Sequence, residues 1–66
     1  MRAQVNGTTR ELTEGTSVAA VVELMGAPEK GVAVALDGAV VPRALWDTTT
    51  VPDGGVVEVL TAVQGG

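Results

Sequence analysis

Cysteine and histidine are absent from the 66-residue chain, as are phenylalanine, tyrosine and isoleucine, and Trp46 is its one aromatic side chain. Without Cys or His, zinc and iron–sulfur ligation lose their main donors and most nucleophilic triads lose a member, which excludes those chemistries. Without a disulfide or a metal, a domain this small, burying only about 60% of its unfolded surface, must be held by aliphatic packing alone. One ring is too few for a platform that stacks bases or flat cofactors. Basic residues are scarce too. Four Lys and Arg against eight Asp and Glu leave a formal net charge of −4, the wrong sign for capturing nucleic acid and one that favours a basic partner surface. No apolar run approaches the roughly 20 residues of a membrane span, and Met1–Asn6 lacks the apolar centre of a signal peptide. The expectation is a soluble cytoplasmic protein with no nucleic-acid or membrane partner.

What the chain has in quantity is valine and threonine, 13 and 8 residues, whose β-branched side chains favour a pleated, half-buried surface. Arg2–Asn6 and Thr8–Leu12 flank Asn6-Gly7, the preferred dipeptide of a two-residue type I′ hairpin. Val32–Leu36 and Ala39–Val41 flank Asp37-Gly38, a second signal of the same kind, and Pro42 closes that strand. Between the hairpins, Val18, Val21, Val22 and Met25 fall at i, i+3, i+4 and i+7, the stripe of an amphipathic helix. Ser17 or Thr16 can cap its start, and Gly26 with Pro28 should end it near Met25. Three valines make that helix intrinsically weak, so it should depend on docking its stripe against the sheet. Arg43–Asp47 has room for a single turn, expected to carry Leu45 and Trp46 against the core. After a turn at Pro52-Asp53-Gly54-Gly55, Val56–Val63 is the longest strand, and apolar residues on both its faces mark it as central.

Strand, strand, helix, strand, strand, short turn, strand is an order that few small folds satisfy. With a helix over one face and the final strand inserted parallel to the first, it predicts an α+β domain of the β-grasp, ubiquitin-like type, a mixed sheet of about five strands with one main helix. Residues 1–64 would form this single domain, and Gly65 and Gly66 a flexible tail.

The acidic side chains are scattered and read as a solvated surface. Asp37 and Asp53 precede turn glycines, where an Asp forms local hydrogen bonds. Asp53-Gly54-Gly55 lacks the lysine and the spacing of a phosphate-binding loop. No catalytic residue and no metal site is therefore expected. Gly65-Gly66 carries more information, because it places a carboxylate at the end of a segment without Cβ atoms, directly after a central strand. Such a segment can thread a narrow channel with φ values closed to other residues.

Val40-Val41-Pro42-Arg43-Ala44-Leu45-Trp46 resembles the V-P-R-x-x-W stretch of the ThiS-type sulfur carriers of thiamin biosynthesis, members of the ubiquitin-like superfamily. Asp53-Gly54 and Val63-Gln64-Gly65-Gly66 fit the same pattern, and the likeness covers nearly the whole chain. Many members have Asn where Asp37 stands. The related small subunit of molybdopterin synthase shares the fold and the terminal Gly-Gly but not Pro42-Arg43 followed by Trp46.

The resemblance implies that Gly66 is the modified residue, adenylated by an E1-like partner that uses ATP and Mg²⁺ and then converted to a thiocarboxylate by a persulfide donor of the cysteine desulfurase type. The sulfur would pass to a thiazole synthase. Gly65, Gln64, Val63 and Arg43 would contact partners, and the chain, a monomer, would be a cosubstrate with no bound cofactor, not an enzyme. Trp46 is expected to fill a core edge, whereas Arg43 can equally pair with a surface carboxylate or meet a partner. The alternatives are the same chemistry serving molybdopterin, cysteine or another metabolite, or a β-grasp interaction module in which Gly65-Gly66 begins a linker.

Overall fold

The computed structural model describes residues 1–28 and 30–61. Both Asx-Gly dipeptides form their hairpins: Asn6 and Gly7 have φ of 51° and 80°, Asp37 and Gly38 of 50° and 85°, the paired positive values of type I′ turns. The first turn joins β1 (Arg2–Val5) to β2 (Thr8–Glu11). The second joins β3 (Val32–Leu36) to β4 (Ala39–Val40). The long final strand, β5, spans Val56–Thr61, and residues 62 and 63 of the expected stretch lie outside the described residues. Strand order is β2-β1-β5-β3-β4, with β5 parallel to β1 and antiparallel to β3. This is the β-grasp arrangement.

Helix α1 covers Val18–Leu24. The Ser17 hydroxyl oxygen caps it by accepting the Ala20 N–H at 3.1 Å. At its other end Gly26, with φ of 68°, takes the left-handed conformation, and the N–H groups of Gly26 and Ala27 reach back to the carbonyls of Glu23 and Val22. Those two bonds make a Schellman motif and consume carbonyls the helix would otherwise leave open. Seven residues are too few for a stable isolated helix. Its stripe docks as expected: Val18, Val21 and Val22 are buried against Ala3, Val5, Val34, Val57 and Val59 from the strands.

Two expectations change. β5 is central in the sheet, but only one of its faces is covered. Val57 and Val59 point to the helix, while Val56 and Leu60 on the opposite face are exposed, Leu60 to 65%. Leu45 is also exposed, at 50%, where packing was expected. Gly55, read as a turn glycine, is required for space: a Cβ there would lie 2.9 Å from the Pro52 carbonyl oxygen.

The two faces of β5 should respond differently to truncation. Val57→Ala removes two methyl groups from a fully buried site and is expected to cost about 1–3 kcal/mol, whereas Leu60→Ala should stay within about 0.5 kcal/mol. Urea unfolding midpoints compare the two directly, and equal losses would refute this facing of the strand.

Candidate functional site

Of the five residues singled out, Gly66 for modification and Val63, Gln64 and Gly65 for partner contact lie outside the described residues. The strand that leads to them is described up to Thr61, held on one side by β3, where Val32 pairs with Thr61 and Ala33 with Leu60. The fifth, Arg43, opens a 3₁₀ turn over Arg43–Leu45 that follows directly from Pro42. Pro42, with φ of −57°, is preset for this entry, and its carbonyl accepts the Leu45 N–H at 2.8 Å.

The turn delivers Trp46 into the core edge, 7% exposed, as anticipated from its size. Its indole Nε1–H donates to the Val41 carbonyl at 2.9 Å, so the ring closes the loop that begins five residues earlier. Arg43 lies over that ring, its Cζ 5.3 Å from the centroid, within range of a cation–π contact. Val41, Pro42, Arg43 and Trp46 thus form one local unit: a buried anchor, a preset turn, and a ring held by its N–H with a guanidinium on its face.

That unit also completes the helix. The first N–H groups of a helix have no intrahelical partner. Here the Trp46 carbonyl accepts the Ala19 N–H at 3.0 Å and the Thr49 carbonyl accepts the Val18 N–H at 2.8 Å. With Ser17 serving Ala20, three successive donors are satisfied. Between the helix and the turn runs an open groove lined by Ala19, Val22, Glu23, Arg43, Trp46 and Asp47.

A sequence model of the ThiS family matches residues 3–66, which includes both this unit and the terminal Gly-Gly. The chain belongs to the ThiS family. Its structure is similar to the crystal structure of a thiamine biosynthesis protein (ThiS) from Geobacter metallireducens, with 33% identity, a TM-score of 0.82 and full coverage of both chains. It is likewise similar to the solution structure of a thiamine biosynthesis protein from the same organism. There the identity is 35% and the TM-score 0.82, over 100% of this chain and 88% of that one. No curated protein matches the sequence.

Among the described residues of this ThiS-family chain, no three His, Cys, Asp or Glu side chains gather into a possible metal site, no polar residue is buried, and no helix is long and apolar enough to cross a membrane. The carboxylates have structural work instead, and at longer range than their turn positions suggested. The Asp53 Oδ1 accepts the Arg2 N–H at 2.9 Å, and the Asp37 Oδ1 accepts the Val56 N–H at 2.8 Å. Each fastens a turn to a strand distant in sequence. Glu11 meets Arg2 at 3.3 Å in an exposed pair that contributes little, and the N-terminal ammonium, part-buried and also bonded to the Leu12 carbonyl, at 3.6 Å.

Proposed function

We propose that this protein is a sulfur carrier acting in the cytoplasm in the formation of the thiamin thiazole, with Gly66 as the site of activation. The observation that carries the reading is the match of the ThiS family model through residue 66, on a domain whose central strand leads straight into those residues. A carboxylate is a poor electrophile, because its charge repels nucleophiles and oxide is a poor leaving group. An E1-like adenylating partner using ATP and Mg²⁺ solves both problems by joining the Gly66 carboxylate to AMP with release of pyrophosphate. A persulfide sulfur on a cysteine desulfurase-type donor then attacks the Gly66 carbonyl carbon and expels AMP. A thiol then attacks the donor's cysteine sulfur in the resulting acyl disulfide, forming a disulfide with the donor and leaving the transferred sulfur on Gly66 as the thiocarboxylate. The product is a soft nucleophile suited to delivering sulfur to a thiazole synthase.

The lack of cysteine fits this role, since sulfur held on the chain terminus meets no side-chain thiol of its own carrier. The exposed apolar residues Val40, Val56 and Leu60 lie on the uncovered sheet face, Leu60 next to the described end of β5, and an enzyme holding residues 62–66 would rest against that face. Arg43, in the groove beside the helix and away from that sheet face, then has its first role over the Trp46 ring and a second in partner contact.

The test is the intact mass of the protein after incubation with adenylating enzyme, ATP, Mg²⁺, a persulfide donor and a thiol. Exchange of one oxygen for sulfur, mapped to the C-terminal peptide, is the expected result. An unchanged mass with enzymes proven active on another carrier would overturn the reading.

A further inference from the structure

The parallel ladder between β1 and β5 runs out before β5 does, because β1 stops at Val5 and the chain reverses at Asn6-Gly7. The Asn6 N–H makes the last main-chain bond of that ladder, to the Val57 carbonyl at 2.9 Å. One step further along β5, at Val59, the Asn6 side chain takes the place of the missing strand residue. Its Nδ2 donates to the Val59 carbonyl at 3.1 Å, and its Oδ1 accepts the Val59 N–H at 2.7 Å. A primary amide reproduces both halves of a peptide unit, and Asn6 is the only asparagine in the chain.

The other hairpin turn grips β5 from the opposite side with a different division of labour. The Asp37 backbone N–H donates to the Val56 carbonyl at 2.8 Å, and the Asp37 Oδ1 accepts the Val56 N–H at 2.8 Å. There the side chain only accepts, so Asp and Asn serve equally. At position 6 the side chain must donate as well, and a carboxylate cannot.

We infer that Asn6 is a positioning residue for activation of the carboxyl terminus: its two-way clasp on Val59 holds the last residues of β5 in register and fixes the base from which residues 62–66 are presented. The inference rests on the carrier reading above. Beyond Val59, the described pairings of Leu60 and Thr61 are to β3 alone. Opening the clasp therefore leaves the end of the strand attached along one edge. In-line attack on the α-phosphate of ATP is sensitive to small misplacement of the reacting carboxylate, whereas docking of the folded domain is not.

Two substitutions test this. Asn6→Asp keeps the acceptor, loses the donor and sets an oxygen against the Val59 carbonyl. Asn6→Gly removes the clasp but adopts the positive φ of the turn at no steric cost, which protects the fold. ATP–pyrophosphate exchange by the adenylating enzyme, with carrier concentration varied, is expected to show kcat lowered about tenfold with KM changed less than about twofold. Asp37→Asn should match the parent. Amide exchange protection should fall at Val59, Leu60 and Thr61 and hold at Val21 and Val34. At a pH that protonates the introduced carboxyl, Asn6→Asp regains a donor and recovers protection at Leu60, which Asn6→Gly does not.

Parent-like kcat in both variants, or protection lost evenly over the domain, would overturn the inference. A parent that is not activated at all would overturn the carrier reading and this inference together, whereas an active parent with equally active variants would remove this inference alone.

Discussion

Deleting Gly66 should abolish ATP-dependent activation while leaving the domain folded. The truncated chain still ends in a glycine carboxylate, so its chemistry is unchanged and only its reach is altered. One extended residue spans at most about 3.6 Å. Misplacing a reacting group by about 1 Å can already cost about 10²-fold, so a loss of a whole residue should exceed that factor. The core among the described residues is built from Ala3 to Val59, and circular dichroism and the thermal melt should match those of the parent. Pyrophosphate exchange and folding are therefore expected to separate. Activation at an unchanged rate would mean that the carboxylate of residue 66 is not the acceptor, and the reading of Gly65-Gly66 as the start of a linker would gain ground.

Trp46→Ala should have the largest effect on stability of any substitution outside the valine core. The ring is 7% exposed, its N–H is bonded to the Val41 carbonyl, and its own carbonyl supplies a partner to the first turn of α1. Emptying such a site typically costs about 3–5 kcal/mol. A domain of this size has a total of about 3–10 kcal/mol, so the variant should be largely unfolded or close to it. Trp46→Phe separates shape from hydrogen bonding, because it keeps most of the ring volume but leaves the Val41 carbonyl without its donor, at about 1–3 kcal/mol. Urea titrations followed by circular dichroism measure both. A loss below about 1 kcal/mol in Trp46→Ala would show that the turn folds without its ring and that the V-P-R-x-x-W unit is not structural.

Much of the fold was legible because its signals are local. Asn6-Gly7 and Asp37-Gly38 name their turn type through the positive φ they tolerate, and the stripe from Val18 to Met25 fixes the buried side of the helix. Parallel insertion of β5 beside β1 followed from element order and handedness. What escaped is non-local or a matter of angle. Successive residues in a 3₁₀ turn are rotated by about 120°, so Leu45 and Trp46 cannot both face the core, and the larger ring takes it. The apolar character of Val56 and Leu60 is plain in sequence, but whether another layer covers them is not. The clasps made by Asn6 and Asp53 join residues 53 and 51 apart, and no spacing rule announces them. The terminal Gly-Gly was legible only through its place after a strand and through family likeness. Asp37 is tolerant for a physical reason, since the acceptor it provides to Val56 is one that an Asn would provide equally.

Parallel pairing of the first strand with the last has a mechanical consequence. Tension applied between Met1 and Thr61 pulls β1 and β5 along their axes in opposite directions, across the bonds from Gln4 to Gly55 and from Asn6 to Val57 and Val59. In this geometry the bonds lie across the load and bear it together, so the strands must slide past one another before any one of them lets go. A hairpin pulled at its open end would instead unzip bond by bond. A partner that draws on residues 62–66 therefore pulls against the sheet in its stiffest direction.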